Sequence, residues 1–228
     1  MLSSIQNTNF KSNIILSSSI YQSKPLDSLK NVGKSVGSPW SMKQSKILDE
    51  GFSDSASICT MGFIKVKDAQ KGYLFHSVPE NDFEDVELAI KEEADTLTKQ
   101  SGIEKPQLEG ILIGGEAEYK GSPIQYNKLM DLFDDMKIKY TAILGKKSSV
   151  GGMSIYTSAP KDEYVLEYFG QVIKDQGSKE KNIKELKKYF EIVKINSEDN
   201  ITLEQNNILE KISFFQALRQ FCLKSQIS

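Results

Sequence analysis

The sequence predicts an α+β fold, a layered sandwich in which helices flank a mixed or antiparallel β-sheet. Three observations lead to this prediction. Residues 61–76 have the pattern of a β-hairpin, two later segments repeat apolar residues at helical spacing, and three further short β-like runs follow. Strands and helices that alternate irregularly along one chain are typical of α+β proteins.

The N-terminal residues 1–45 are predicted to form a flexible, serine-rich leader. They contain many Ser, Asn, Lys and Gln residues and show no sustained apolar period. A segment of this composition buries too little apolar surface to offset the entropy lost on ordering. Its one β-like stretch is a short run at 13–16. The predicted folded domain therefore spans residues 46–170.

The hairpin consists of strands at 61–66 and 73–76, joined by a polar turn at 67–72. In an antiparallel pair, residues whose numbers have a constant sum face each other. A centre between Lys67 and Asp68 makes Cys59 and His76 partners at the open end. We therefore expect the thiol and the imidazole to lie side by side, within reach of solvent.

Two helices and four strands are predicted after the hairpin. Asp82 provides an N-cap for the first helix and Gly102 a C-terminal stop. Strands are expected near 110–115, 138–144, 153–157 and 164–169. The apolar residues at helical spacing are Phe83, Val86, Ile90, Ala94 and Leu97 in the first helix, and Ile124, Leu129, Phe133 and Met136 in the second.

Residues 171–228 are predicted to form a helical C-terminal extension. The segment is rich in Lys and Glu, which is typical of solvated helix faces. Its apolar residues indicate two amphipathic helices, one with Ile183, Leu186 and Phe190 and one with Leu203, Ile208, Leu209, Ile212, Phe215 and Leu218.

Composition excludes several classes of function. A net charge of −2 and a pI near 5.7 argue against nucleic-acid binding, which requires a basic surface. No apolar run approaches the roughly 20 residues of a membrane-spanning helix, so we expect no membrane span. One histidine and two cysteines are too few for the usual four-ligand zinc site, and we expect neither a metal nor a cofactor.

Cys59 and His76 are the candidate catalytic pair. A free thiol is a weak nucleophile at neutral pH, and an imidazole that accepts its proton makes it reactive as a thiolate. The segment before Cys59 is small and polar, and no other histidine is present to serve. A buried structural cysteine and a satisfied core histidine remain open alternatives. The two distant cysteines indicate reduced thiols and a cytosolic setting.

The region around this pair resembles CheD, the family of chemoreceptor glutamine deamidases. In that family a Thr precedes the catalytic Cys, a His follows it, and a Leu-Pro pair comes next. The same register here gives Ser53, Cys59, His76 and Val78-Pro79.

Two later motifs agree in order with the CheD family. Gly114-Gly115 ends a strand as the family's Gly-Gly-Ala does, and residues 143–167 resemble its closing Gly-Gly strand pair. The resemblance covers 46–170. Three positions depart from the family: Ser53 replaces Thr, Ser57-Ile58 replaces Gly-Ser, and the helix start at 125–127 lacks an arginine.

The resemblance implies a protein-glutamine deamidase that uses a thioester mechanism. Cys59 would be the nucleophile, His76 the base, and Ser53 the group that orients the imidazole. The implied substrate-binding residues are Ser57, Ile58, Gly114 and Gly115, and the partner is a protein with a target glutamine.

The same architecture is shared with toxins resembling the cytotoxic necrotizing factor group. This likeness favours a bacterial effector or virulence toxin, which is cytoplasmic in the producer and translocated into a host cell. A cysteine protease or transglutaminase with the same pair, and a non-catalytic binding module, remain alternatives. The oligomeric state is not predicted.

Overall fold

Two β-sheets lie face to face, and two α-helices pack on the outer side of one of them. The structure is a computed structural model that describes residues 12–18, 41–56, 58–116, 121–145, 152–169, 190–197 and 199–203. One sheet has the helices on one face and the second sheet on the other face, and we call it the central sheet. We call the second sheet the outer sheet. This arrangement is α+β, as predicted.

The central sheet contains six strands in the order β10-β7-β6-β4-β5-β2. Strands β6 and β7 are parallel, and all other neighbours in this sheet are antiparallel. The strands are β2 (Lys46–Leu48), β4 (Thr60–Val66), β5 (Gly72–Ser77), β6 (Leu108–Glu116), β7 (Lys139–Gly145) and β10 (Phe190–Lys194).

The outer sheet contains five strands in the order β11-β1-β9-β8-β3. Strand β1 runs parallel to both of its neighbours, so this sheet is also mixed. The strands are β1 (Asn13–Ser18), β3 (Glu50–Ala56), β8 (Gly152–Ser158), β9 (Glu163–Phe169) and β11 (Asn200–Leu203).

Helices α1 (Phe83–Ser101) and α2 (Gly121–Asp135) cover the central sheet. The Asp82 side chain accepts the backbone N–H of Glu84 at 3.0 Å, and Gly102 ends α1 with φ 65°, so both predicted caps are confirmed. Neither described helix has the length and apolar character to cross a membrane.

Strand β4 is buried at every position because each of its faces packs against a different layer. Met61 and Phe63 face the outer sheet, while Ile64 and Val66 face the helices. This alternation of period two divides the apolar side chains into two cores. The core between the sheets includes Ile14, Leu74, Ile111, Ile113, Ile143, Ile155 and Leu166, and the core under the helices includes Phe75, Val86, Ile90, Leu112, Leu129 and Phe133.

The hairpin forms, but its register differs from the prediction by two residues. His76 pairs with Met61 and Thr60 with Ser77, so the paired numbers have a larger sum than we expected. Asp68 adopts φ 65°, a left-handed conformation that Asp tolerates in turns. The observed register moves the turn centre to one residue later than predicted, so Cys59 is not the direct partner of His76.

The prediction of a flexible leader was wrong for residues 12–18. Strand β1 lies between β9 and β11 and shares six register pairs with β9. Ile14 is fully buried in the core between the sheets. The local β-like run at 13–16 indicated a strand, but not its partners, because a parallel insertion of this kind joins residues that are far apart in sequence.

The helical prediction for 171–228 was wrong for the residues that the structure describes. Phe190 begins β10 and Leu203 ends β11, so this part of the chain adds one strand to each sheet. The other residues named for these helices lie outside the described ranges. In α2, the predicted core residue Ile124 is exposed, whereas Leu129 and Phe133 are buried as expected.

Lys65 is a fully buried charge on the face of β4 that meets the outer sheet. Its ammonium lies 3.1 Å from a carboxylate oxygen of Glu109 and also forms an ion pair with Asp162. Asp162 follows β8 in the turn to β9 and has φ 49°. The triad therefore connects the two sheets, with carboxylates from both satisfying one buried cation.

Replacing Lys65 with Met should destabilise the protein by about 3–5 kcal/mol, because two largely buried carboxylates would lose their cation. Urea denaturation of the wild type and variant measures this loss. The control is Lys91→Met, which breaks the exposed pair with Glu87 on α1 and should cost no more than about 0.5 kcal/mol. Equal losses in the two variants would contradict a stabilising triad.

Candidate active site

A hydrogen bond between the two sheets defines the candidate site. The Ser53 hydroxyl on β3 lies 3.0 Å from Nδ1 of His76 on β5, and both side chains are buried. The sequence motif therefore brings together two of its three predicted catalytic residues. Either atom can be the donor, depending on which imidazole nitrogen carries the proton.

Strand pairing fixes both members of this contact. Ser53 is opposite Ile155 of β8 in the outer sheet, and His76 is opposite Met61 in the central sheet. The backbone N–H of His76 also donates to the Ser45 hydroxyl at 3.2 Å. These contacts hold the main chain on both sides of the hydrogen bond, which restricts the movement of the ring.

Cys59 lies one residue before β4 and belongs to the core between the sheets, together with Met61. Its thiol therefore lies in the same layer as the His76 ring. A diagonal neighbour in an antiparallel pair, two residues beyond the direct partner, is about 7–8 Å away between Cα atoms. The two side chains span part of this distance, so Cys59 and His76 are neighbours on a diagonal and do not face each other directly.

The register of the neighbouring strands indicates what flanks Cys59. Met61 pairs with His76 on one side and with Ile113 on the other. Continuing both antiparallel registers by two residues places Val78 and Gly115 beside Cys59. Val78 packs against the same core as Cys59. A register shift lies between Gly114 and Glu116, and bulges of this kind are frequent beside active sites.

The surroundings of Cys59 favour the neutral thiol over the thiolate–imidazolium pair that the sequence led us to expect. Burial, the larger cause, and repulsion by the Glu80 carboxylate together raise the pKa of Cys59 to about 11. Both effects disfavour the charged form. Any transfer of the thiol proton to His76 must therefore accompany the attack on a substrate.

Cys59 and His76 are also more enclosed than we expected. Cys59 is 8% exposed and His76 only 2%. The surface is nevertheless close, because Val78 is half-buried and Glu80 is exposed. The pair lies just beneath the surface, where the chain leaves the core, and not on an open rim.

The four predicted substrate-binding residues have different surroundings. Gly114 is buried on the helix side of β6, where an added Cβ would lie 2.6 Å from the Tyr126 ring, so the close approach of α2 explains this glycine. Ile58 is half-buried and packs against the core between the sheets. Only Gly115 has a register position beside Cys59. Ser57 lies outside the described residues.

Two polar side chains near the site were not identified from sequence. Gln125 on α2 donates from Nε2 to the Ser77 hydroxyl at 2.7 Å and to the Val78 carbonyl at 2.6 Å. Thr60, which follows Cys59, is completely buried. Residues 125–127, predicted as a helix start without the arginine of the CheD family, lie inside α2, which begins at Gly121, and no sequence pattern marks Gln125 itself. Within the described ranges, no group of three His, Cys, Asp or Glu side chains is placed to bind a metal ion.

No model of a protein family matches this chain, and no curated protein is significantly similar to it in sequence. The resemblance to CheD therefore depends on the residues and spacing given above.

Iodoacetamide should modify Cys59 slowly at neutral pH, because only the thiolate reacts and burial keeps the pKa near 11. Between pH 7 and 9.5 the rate should rise about tenfold for each pH unit, as followed by mass spectrometry of the Cys59 peptide. Glu80→Gln should accelerate the reaction by removing a nearby negative charge.

The control for this experiment is Glu84→Gln, which removes an exposed carboxylate from the first turn of α1. It should leave the rate unchanged. A rate that reaches a plateau below pH 8 would show instead that the free protein holds a thiolate.

Proposed function

We propose that this protein is a protein-glutamine deamidase in which Cys59, His76 and Ser53 form the catalytic group. One observation carries the proposal: the buried 3.0 Å hydrogen bond between Ser53 and His76, with Cys59 in the same layer between the sheets. The bond supports the orienting role that the resemblance implies for Ser53. A serine retains the hydroxyl that the family's threonine supplies.

The chemistry requires one particular tautomer of His76. When Nδ1 carries the proton and donates it to Ser53, Nε2 has a lone pair that accepts the proton of the thiol. The sulfur then attacks the carboxamide carbon of a glutamine side chain. Because the thiol is neutral at rest, proton transfer and the formation of the carbon–sulfur bond are coupled.

The remaining steps follow the usual course of acyl transfer. The tetrahedral intermediate expels ammonia when the His76 imidazolium returns its proton to the leaving nitrogen. Water then attacks the thioester, with His76 as the base, and releases glutamate and the free thiol. The net reaction converts one amide and one water into one carboxylic acid and one ammonia, so His76 and Cys59 return to their starting states.

Gly115 is the proposed source of oxyanion stabilisation. Gly115 and its backbone N–H lie in β6, where the register between β6 and β7 shifts. Extending the register of β4 and β6 by two residues beyond Met61 and Ile113 places Gly115 beside Cys59. A well-placed donor of this type contributes about 3–4 kcal/mol to the stabilisation of the transition state. A glycine allows the substrate to approach the backbone closely.

The enclosure of the pair favours deamidation over proteolysis. A main-chain amide extends in both directions as polypeptide, and a protease therefore needs an open groove. The carboxamide of glutamine is the end of a slender side chain, which can enter a narrow opening. With Cys59 at 8% and His76 at 2% exposure, the second kind of substrate fits better.

Transglutamination is the second candidate reaction of the same group. It requires a lysine amine, in place of water, to attack the thioester. A role as an effector that acts on a host protein is also part of this proposal, but it rests on the resemblance and the serine-rich leader alone. The added strands β1, β10 and β11 belong to the two sheets and so give no support for a separate appendage.

Wild-type protein incubated with a cell lysate should raise the mass of specific glutamine-containing peptides by about one dalton, because oxygen and a proton replace the amide nitrogen and its protons. Peptide mass spectrometry measures this change. Cys59→Ser and His76→Ala should abolish it, Ser53→Ala should reduce it strongly, and Ser53→Thr should retain it.

The matched control is Cys222→Ser, which removes the other cysteine and should keep full activity. New peptide termini would identify a protease, and crosslinked peptides would identify a transglutaminase. A lysate unchanged by the wild type would contradict an enzymatic function and favour a binding module.

A further inference from the structure

Gln125 links helix α2 to the end of strand β5. It is only 5% exposed, and its Nε2 donates to the Ser77 hydroxyl at 2.7 Å and to the Val78 carbonyl oxygen at 2.6 Å. A carbonyl oxygen can only accept, so the amide nitrogen must face Val78 and the orientation of the side chain is determined. The other contacts of α2 with the central sheet are mainly apolar.

Both acceptors adjoin the proposed catalytic residues. Ser77 follows His76 directly and is the last residue of β5. Val78 packs against the core that contains Cys59, and extending the register one pair beyond Thr60 and Ser77 places it opposite Cys59. The amide of Gln125 therefore restrains the two residues that follow His76. One of them, Val78, packs against the core that contains Cys59.

The polar character of this contact is costly for folding. Among the described residues, neither Oε1 of Gln125 nor Oγ1 of Thr60 has a hydrogen-bond partner, and both atoms are buried. Thr60 pairs with Ser77, so the three side chains form one group behind the candidate site. Buried polar atoms without partners destabilise a protein, and local violations of this kind concentrate at functional sites.

We propose that Gln125 is a positioning residue for the deamidation proposed above, on which this inference rests. Its two donated hydrogen bonds hold Ser77 and Val78 in place. Through them, the His76 ring keeps its orientation towards Ser53, and the Val78 wall keeps Cys59 at its diagonal position. Gln125 does not contact the reacting atoms and acts only through these neighbours.

The test compares Gln125→Met with Asn127→Ala in the full-length protein. Met keeps the length of the side chain and removes both donors, whereas Asn127 is an exposed residue of the same helix. His76 is the only histidine, so its ring gives a single histidine Cε1–H signal in NMR spectra. Gln125→Met should shift this signal and its pH titration, while Asn127→Ala should leave both unchanged.

The second measurement is the rate at which lysate peptides gain one dalton. Gln125→Met should lower this rate by at least about tenfold, because small displacements of reacting groups have large effects on rate. Asn127→Ala should match the wild type. A folded Gln125→Met protein with a wild-type rate and an unmoved His76 signal would overturn the proposal.

Ser77→Ala is a second variant, which tests the same proposal if Gln125→Met does not fold. It removes one acceptor and leaves the bond to Val78, so it should shift the His76 signal and lower the rate by a smaller factor. A folded Ser77→Ala protein with neither effect would also overturn the proposal. If the wild type itself deamidates nothing, the proposed function fails, and the His76 signal still decides whether Gln125 positions the ring.

Discussion

The hydrogen bond between Ser53 and His76 connects the two sheets at the position where the proposed chemistry takes place. It requires that β3 of the outer sheet lie over the end of β5 in the central sheet, and thus fixes how the sheets are stacked. The Lys65 triad makes a second polar connection between the same two layers. A third polar contact joins the sheets where the Thr141 hydroxyl on β7 donates to the Asp199 carboxylate, just before β11. The described side chains between these contacts are mainly apolar, so the polar contacts help to align the two apolar faces.

Enclosure determines both the reactivity and the substrate of the proposed site. Burial keeps the Cys59 thiol neutral, which protects it from incidental oxidation and alkylation, since both require the thiolate. It also limits access to a slender group such as a carboxamide side chain. In the proposed mechanism, a substrate amide meets an imidazole that is already hydrogen-bonded to Ser53.

Local patterns predicted local structure well. The caps Asp82 and Gly102 and the hairpin turn were identified because each depends on neighbouring residues. The hairpin register was wrong by two residues, since the polar turn offers several centres and only the packing of β4 selects one. The β-like run at 13–16 indicated β1 but not its place in the sheet, and strands β10 and β11 were missed, because the partners of all three are distant in sequence. Lys65 could not be predicted to be buried, because a lysine in a strand is ordinarily exposed and its partner Asp162 comes from the other sheet.

The sequence pointed to Ser53, Cys59 and His76 as the candidate site, and the structure supplied the electrostatics and the supporting contacts around them. The central claim is that Ser53 accepts a hydrogen bond from Nδ1–H of His76 and thereby presents the Nε2 lone pair towards Cys59. Because His76 is the only histidine, ¹⁵N labelling of histidine followed by long-range ¹H–¹⁵N NMR at pH 8 observes this ring alone. The account predicts a proton on Nδ1 and an unprotonated Nε2. A ring protonated on Nε2, with Nδ1 accepting from Ser53, would contradict it.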